Sequence, residues 1–146
     1  MKILVLDDSE QVLDDIAEYM RSVNPEHIVV TCNNCASITY QYDSCEAPFD
    51  LFVLDLNVRT LGLTKDQAQR TKNGLFTGWI ALREIILHRT PEASIVIFSG
   101  WCKALETYIL SKESTDEEKK LYYELLRADR LIYKINGYEA LKKFIQ

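Results

Sequence analysis

Apolar residues along this chain fall into two kinds of run, short continuous ones and longer periodic ones, and the two kinds alternate from end to end. Lys2–Leu6 (KILVL) is a continuous run closed by Asp7-Asp8, the pattern of a strand buried on both faces. Val12, Leu13, Ile16, Tyr19, Met20 and Val23 then recur at helical spacing and predict an amphipathic helix. Asp8 or Ser9 stands at its N-cap position, Gln11 lies three residues after Asp8 as in a capping box, and Pro25 closes the segment. A β-branched run predicts a second strand over 27–31, followed by a helix around 36–42. The clearest strand is LFVLDL, 51–56. A polar stretch, 57–73, predicts a long loop. Leu75, Trp79, Leu82, Ile85 and Ile86 form the inward face of the next helix, which ends by Pro91, and 94–98 is a fourth strand. Two helices are expected before the fifth strand, Leu131–Tyr133, at about 102–112 and 115–128, because Ser114-Thr115-Asp116-Glu117 has capping-box spacing. Tyr138, Leu141 and Ile145 mark a short terminal helix.

Five strands alternating with helices predict an α/β fold, a doubly wound five-stranded parallel sheet covered on both faces. The flavodoxin-like order 2-1-3-4-5 is expected, with an extended connection after the third strand and extra helix between the fourth and fifth. Such sheets carry their chemistry at the carboxyl ends of the strands, where the strand order reverses. No repeat, linker or low-complexity segment interrupts the pattern, and 146 residues suit a single domain over 1–146.

Composition narrows the function classes. A hydrophobic content of 47% supports a core without disulfides or a structural metal. The net charge of -5 argues against a nucleic-acid partner. Apolar runs are too short to span a bilayer, and the start MKILVLDDSE meets acids too soon for a signal peptide, so a cytoplasmic protein with no membrane partner is expected. Cys32 and Cys35 have CxxC spacing, but Cys45 and Cys102 stand alone and no second close pair completes a zinc site, so free thiols are expected.

The strand ends share a chemistry. The first strand is followed by Asp7-Asp8, the third run contains Asp55 before Leu56-Asn57, the fourth leads to Ser99-Gly100, and the fifth to Lys134. Each residue alone has an ordinary explanation as a helix cap, turn former or surface lysine. Together, in the 2-1-3-4-5 order, they would bring three carboxylates to one rim beside a hydroxyl and an ammonium. Clustered carboxylates call for a cation, and magnesium suits one or two carboxylates plus waters and a phosphate oxygen. A carboxylate beside such an ion is a competent nucleophile toward a phosphoryl group, giving an aspartyl-phosphate. Lys134 and Ser99 supply a cation and a donor for the transferring charge, and Gly100 leaves space for the donor.

With these residues in place, the chain resembles the receiver domain of two-component response regulators over essentially its whole length. MKILVLDDSE is similar to the opening strand and acidic pair of that family, LFVLDLNV to its phosphoacceptor strand, IVIFSG to the strand ending in Ser or Thr plus a small residue, and ADRLIYK to the strand ending in the essential lysine. The resemblance implies that Asp55 is the phosphoacceptor. It implies that Asp8, Asp55 and the backbone carbonyl of Asn57 bind Mg2+ directly, with Asp7 acting through water. Ser99 would be the switch hydroxyl and Lys134 the partner of Asp55 and later of the phosphate. It also implies a sensor histidine kinase or phosphotransfer protein as phosphodonor and output through a downstream protein target, onward transfer, or a homodimer formed through the fourth and fifth helices. In receivers the positions of Asn57 and Trp101 flank the path of the hydrolytic water. Four departures stand out. Ile135 replaces the usual proline after the lysine, with its cis bond. Leu131 replaces an aromatic switch residue. The loop after Asp55 reaches its helix-start glycine, Gly74, late. The interval from Ser99 to Lys134 is long. Two alternatives stay open: a pseudo-receiver that binds without phosphorylation, and a haloacid-dehalogenase-type phosphatase, although the general acid expected in its DxD motif is Asn57 here. For the 57–73 loop, with Arg59, Lys65, Arg70 and Lys72, a mobile solvated insertion is expected, with a lid over the phosphorylation site as the alternative.

Overall fold

A computed structural model describes residues 1–44 and 48–146 and contains one parallel sheet in the order β2-β1-β3-β4-β5. The strands are β1 (Lys2–Leu6), β2 (Ile28–Cys32), β3 (Leu51–Leu54), β4 (Ile95–Ser99) and β5 (Leu131–Tyr133). Every residue of β3 and β4 is buried, as their unbroken apolar runs require, whereas β2 lies at an edge and leaves Ile28 exposed. Side chains alternate across the sheet. Ile3 and Val5 of β1 join Val53, Val96 and Phe98 against α1 (Glu10–Val23) and the chain's last turns. Leu4 and Leu6 join Phe52, Leu54 and Ile97 on the opposite face, with α2 (Cys35–Ser44) and the later helices.

Helix α1 is capped by Ser9, whose side chain accepts from the Val12 amide, so Asp8 is left free of that duty. The expected capping box is not formed there: Gln11 instead donates to Asp15, 2.7 Å away. Cys35 and Cys102 are buried free thiols, Cys32 is buried as well, and Cys45 lies outside the described residues. Burial pushes the Cys35 thiol up to about 12, where the thiolate that metals and disulfides require is not populated. Among the described residues, no helix is long and apolar enough to cross a membrane.

The 57–73 segment is folded against the domain, contrary to the mobile loop expected from its polarity. The Leu61 carbonyl accepts from the Cys35 and Ala36 amides and so closes two of the orphan donors at the start of α2. This approach needs Gly62, at φ +93°, because a β-carbon there would lie 2.1 Å from the Ala36 nitrogen. A short helix, α3 (Lys65–Gln69), follows with a complete Thr64/Gln67 capping box. Arg70 then forks onto Glu84 with two 2.8 Å bonds, Lys72 pairs with Glu113 at 2.7 Å, and Thr71 and Val58 are buried. Gly74, with φ +90°, belongs to the turn before the next helix and not to the helix itself.

That helix, α4, runs through Thr77–Ala81, a π-helical turn Leu82–Ile86 and a last turn Leu87–Arg89. Trp79, Leu82 and Ile86 face the core as their spacing predicts. The two helices expected before β5 are present as α5 (Cys102–Ile109) and α6 (Asp116–Arg127). The box that starts α6 is Thr115 with Glu118, one residue later than expected, because Ser114 turns its hydroxyl onto the Ile109 carbonyl at 2.6 Å. After β5 the chain makes two 3-10 turns, Lys134–Asn136 and Tyr138–Leu141, and ends in α7 (Lys142–Ile145), with Leu141 and Ile145 buried. No cis peptide occurs among the described residues, so the Lys134–Ile135 bond is trans.

Glu118 joins the extra helix to α4. It is 3% exposed and accepts from Trp79 Nε1 at 2.8 Å and from the Tyr108 hydroxyl at 3.0 Å, with Arg83 3.4 Å away. Burial is the largest single effect and would raise its pKa, but the hydrogen bonds from Trp79 and Thr115, the Arg83 charge and the Tyr108 hydroxyl together hold it below the usual value of 4.5. A depressed folded-state pKa contributes stability that is present above the unfolded value and lost as pH falls through the folded one. Glu118→Gln is therefore expected to lose about 2 kcal/mol at neutral pH, since Arg83 keeps its charge but loses its partner. The gap from the parent chain should close at an acidic pH, once the solution falls below the lowered folded-state pKa. Urea unfolding at the two pH values measures both, and a gap independent of pH would mean that the charge of Glu118 is not what stabilises this junction.

Candidate functional site

Because all five strands are parallel, every strand's carboxyl end lies on the same edge of the sheet, and the residues just beyond these ends share one rim. Leu6 of β1 is in register with Leu54 of β3, which sets Asp7 next to Asp55. Asp7 and Asp55 are 2% and 6% exposed, Ser99 at the end of β4 is fully buried, and Asp8 is half-buried. Lys134, immediately after β5, reaches across and donates to Asp55 Oδ2 at 2.6 Å and to Asp7 Oδ2. Ser99 Oγ donates to Asp55 Oδ1 at 2.6 Å, and the same carboxylate oxygen accepts from the Leu56 amide at 2.7 Å. The Trp101 amide in turn donates to Ser99 Oγ at 3.2 Å, and the Ser9 amide to Asp7 Oδ1 at 2.9 Å.

Charge in this cluster is unbalanced. Asp7, Asp8 and Asp55 each offer an oxygen, all within 4.8 Å of one another, and Lys134 is the cation paired with two of them. Three carboxylates against one ammonium leave two negative charges uncompensated. Burial, the largest effect, raises the Asp7 carboxyl above its usual range, and the neighbouring Asp55 charge adds to it, against the opposing hydrogen bonds from Lys134 and Ser9. Burial pulls the Lys134 ammonium down, but its bonds to Asp55 and Asp7 outweigh that and hold its pKa above the ordinary lysine value. An all-oxygen donor set with two surplus negative charges fits a hard divalent ion, and Mg2+ is of that kind. Asn57 and Asp8 line an open cavity of about 570 Å3, to which the folded insertion contributes Arg59, Thr60 and Asn73.

The structure therefore brings together Asp7, Asp8, Asp55, Ser99 and Lys134, and places Asn57 at their margin. Two further residues shape the rim. Gly78, in the first turn of α4, lies directly on the backbone of Asp55 and donates its amide to the Leu56 carbonyl at 2.9 Å. A glycine inside an otherwise apolar helix costs about 1 kcal/mol relative to alanine, so its presence in TGWIA is a readable sign of close backbone approach. Trp101 is 45% exposed and Ile135 is 93% exposed, so neither is a core residue.

This chain has the fold of response regulator receiver domains. A response regulator receiver domain protein from Clostridium thermocellum matches it with a TM-score of 0.58 at 18% identity, over 99% of this chain and 90% of that one. RcsB from Salmonella enterica serovar Typhimurium, in a structure bound to promoter rprA in the presence of the phosphomimetic BeF3-, matches with a TM-score of 0.51 at 13% identity, over 97% of this chain and 67% of that one. A further structure of the Salmonella typhimurium RcsB response regulator gives a TM-score of 0.53 at 12% identity, over 98% and 66% of the two chains. No protein-family model and no curated protein sequence matches this chain. The DNA in the first of these RcsB structures is RcsB's ligand, and about a third of RcsB lies outside the match.

Proposed function

We propose that residues 1–146 form one phosphorylation-dependent signalling receiver, in which Asp55 accepts a phosphoryl group from a sensor histidine kinase or phosphotransfer protein. The observation that carries this reading is the setting of Asp55, a buried carboxylate with Lys134 on one oxygen and Ser99 on the other. Asp8, Asp55 and the Asn57 carbonyl would hold Mg2+ directly and Asp7 through water; when bound, the ion neutralises charge on the transferring phosphoryl group. An Asp55 oxygen forms the new bond to phosphorus as the bond to the leaving group breaks, and the bonding pair departs with that group. Lys134 then turns its ammonium from the free carboxylates to a phosphoryl oxygen. Ser99 moves its proton donation from Asp55 to another phosphoryl oxygen, which draws β4 and the Trp101 turn toward the site. Output passes to a protein partner, by contact, by onward transfer or through a homodimer.

Acetyl phosphate with and without magnesium tests the reading. A stable, magnesium-dependent aspartyl-phosphate is the expected product. Steady turnover of phosphomonoesters would instead make the chain a phosphatase, and no reaction would leave a pseudo-receiver.

Trp101 carries a further expectation. Its ring is half-exposed at the rim and offers an incoming water no oxygen acceptor, so it slows in-line attack on the aspartyl-phosphate. Trp101→Ala should speed loss of the phosphoryl group about tenfold, or about 1.4 kcal/mol of barrier. Decay of phosphoprotein after removal of the donor is the measurement, and equal decay would reduce Trp101 to a packing role.

A further inference from the structure

The 57–73 insertion carries four cations, and they are used unequally. Arg70 is held by Asp66 and Glu84, and Lys72 by Glu113. Arg59 is exposed, forms no ion pair among the described residues, and lines the 570 Å3 cavity that also contains Asp8 and Asn57. A guanidinium with a planar fork of donors and no ion pair among the described residues thus shares a cavity with Asp8, and the remaining polar wall residues, Asn57, Thr60, Thr71 and Asn73, are neutral. The cavity meets the carboxylate cluster through Asp8, one oxygen of which lies within 4.8 Å of oxygens of Asp7 and Asp55.

We propose that this cavity seats the leaving group of the phosphoryl donor, and that Arg59 favours donors whose leaving group is a carboxylate, the acyl phosphates. The inference rests on Asp55 being the phosphoacceptor. In transfer from an acyl phosphate, an Asp55 oxygen bonds to phosphorus, the phosphorus–oxygen bond to the acyl group breaks, and the electron pair leaves on a carboxylate oxygen. Negative charge grows on that oxygen in the transition state, where a guanidinium fork stabilises it. In transfer from phosphoramidate the nitrogen is already protonated and leaves as neutral ammonia, so Arg59 has no developing anion to meet.

The two donors separate this role from general electrostatics or damage to the fold. Arg59→Gln is expected to slow labelling by acetyl phosphate about tenfold while changing labelling by phosphoramidate less than about twofold. Arg59→Lys, which keeps the charge but not the fork, should fall between the parent and the glutamine variant with acetyl phosphate. Equal loss with both donors, or no loss with either, overturns the assignment of Arg59 while leaving Asp55 as the acceptor. A parent chain that neither donor labels overturns the acceptor reading and this inference with it.

Discussion

Asp55→Asn is expected to take up no phosphoryl group under conditions that label the parent chain, while melting within a few degrees of it. The amide is nearly isosteric but cannot form an acyl phosphate. The contacts explain why the fold survives. The amide oxygen can occupy the Oδ1 position and keep the donors from Ser99 and Leu56, which leaves the amide nitrogen facing Lys134. That contact is unfavourable, but Lys134 retains Asp7. Removing one of three crowded carboxylates also relieves repulsion that a single ammonium does not offset. The two effects oppose each other, so a net change of about 1 kcal/mol or less is expected, a melting shift of only a few degrees for a chain of this size. Intact mass after acetyl phosphate treatment and a thermal melt measure the two halves, and undiminished labelling of the variant would remove Asp55 from its role.

What the sequence made legible follows from what is local. Continuous aliphatic runs such as Lys2–Leu6 and Leu51–Leu54 read as strands because burial on both faces leaves no room for alternation. Once the strands are parallel, Asp7, Asp55, Ser99 and Lys134 must share an edge, so their convergence could be expected before any distance was known. The insertion was less legible for a physical reason. Helix α3 has five residues, too few to be stable by propensity, and it is held by tertiary contacts that no local window contains. Arg70 meets Glu84 fourteen positions away, and Leu61 caps a helix that starts much earlier in the chain. The Thr64-Lys65-Asp66-Gln67 box was nevertheless visible in the sequence.

The misplaced caps teach a related point. Ser114/Glu117 and Thr115/Glu118 are neighbouring frames of equal local quality, and contacts outside both frames separate them: the Ser114 hydroxyl is taken by the Ile109 carbonyl, and Trp79 and Tyr108 bind Glu118 from other helices. Likewise Ser9 caps α1, and Asp8 is left half-buried at the rim beside Asp7 and Asp55. At α6 tertiary contacts decide between two equal local frames, and at α1 the cap falls to Ser9, one of the two residues the sequence offers.

Gly78→Ala is the substitution expected to do the most harm to stability and site together. An ideal β-carbon at Gly78 would lie 1.8 Å from the Asp55 carbonyl oxygen, 2.8 Å from its carbonyl carbon and 3.0 Å from Leu56 Cα. All three are backbone atoms at the end of β3, so no rotamer change relieves the clash, and α4 must move off the strand. That movement also stretches the 2.9 Å bond from the Gly78 amide to the Leu56 carbonyl. In a free helix the change to alanine would gain about 1 kcal/mol. Here overpacking reverses the sign, and a net loss of about 3 kcal/mol is expected, at the upper end of the ordinary range because the obstruction is rigid. Displacing the peptide at Asp55 also moves the carboxylate from Lys134 and Ser99, so phosphorylation of whatever remains folded should fall by more than about tenfold. Gly100→Ala is the control, since nothing lies within 4 Å of a β-carbon there and stability should change by no more than about 0.5 kcal/mol. Urea midpoints of the two variants make the comparison, and a Gly78→Ala protein as stable as the control would mean that α4 does not rest on the phosphoacceptor strand.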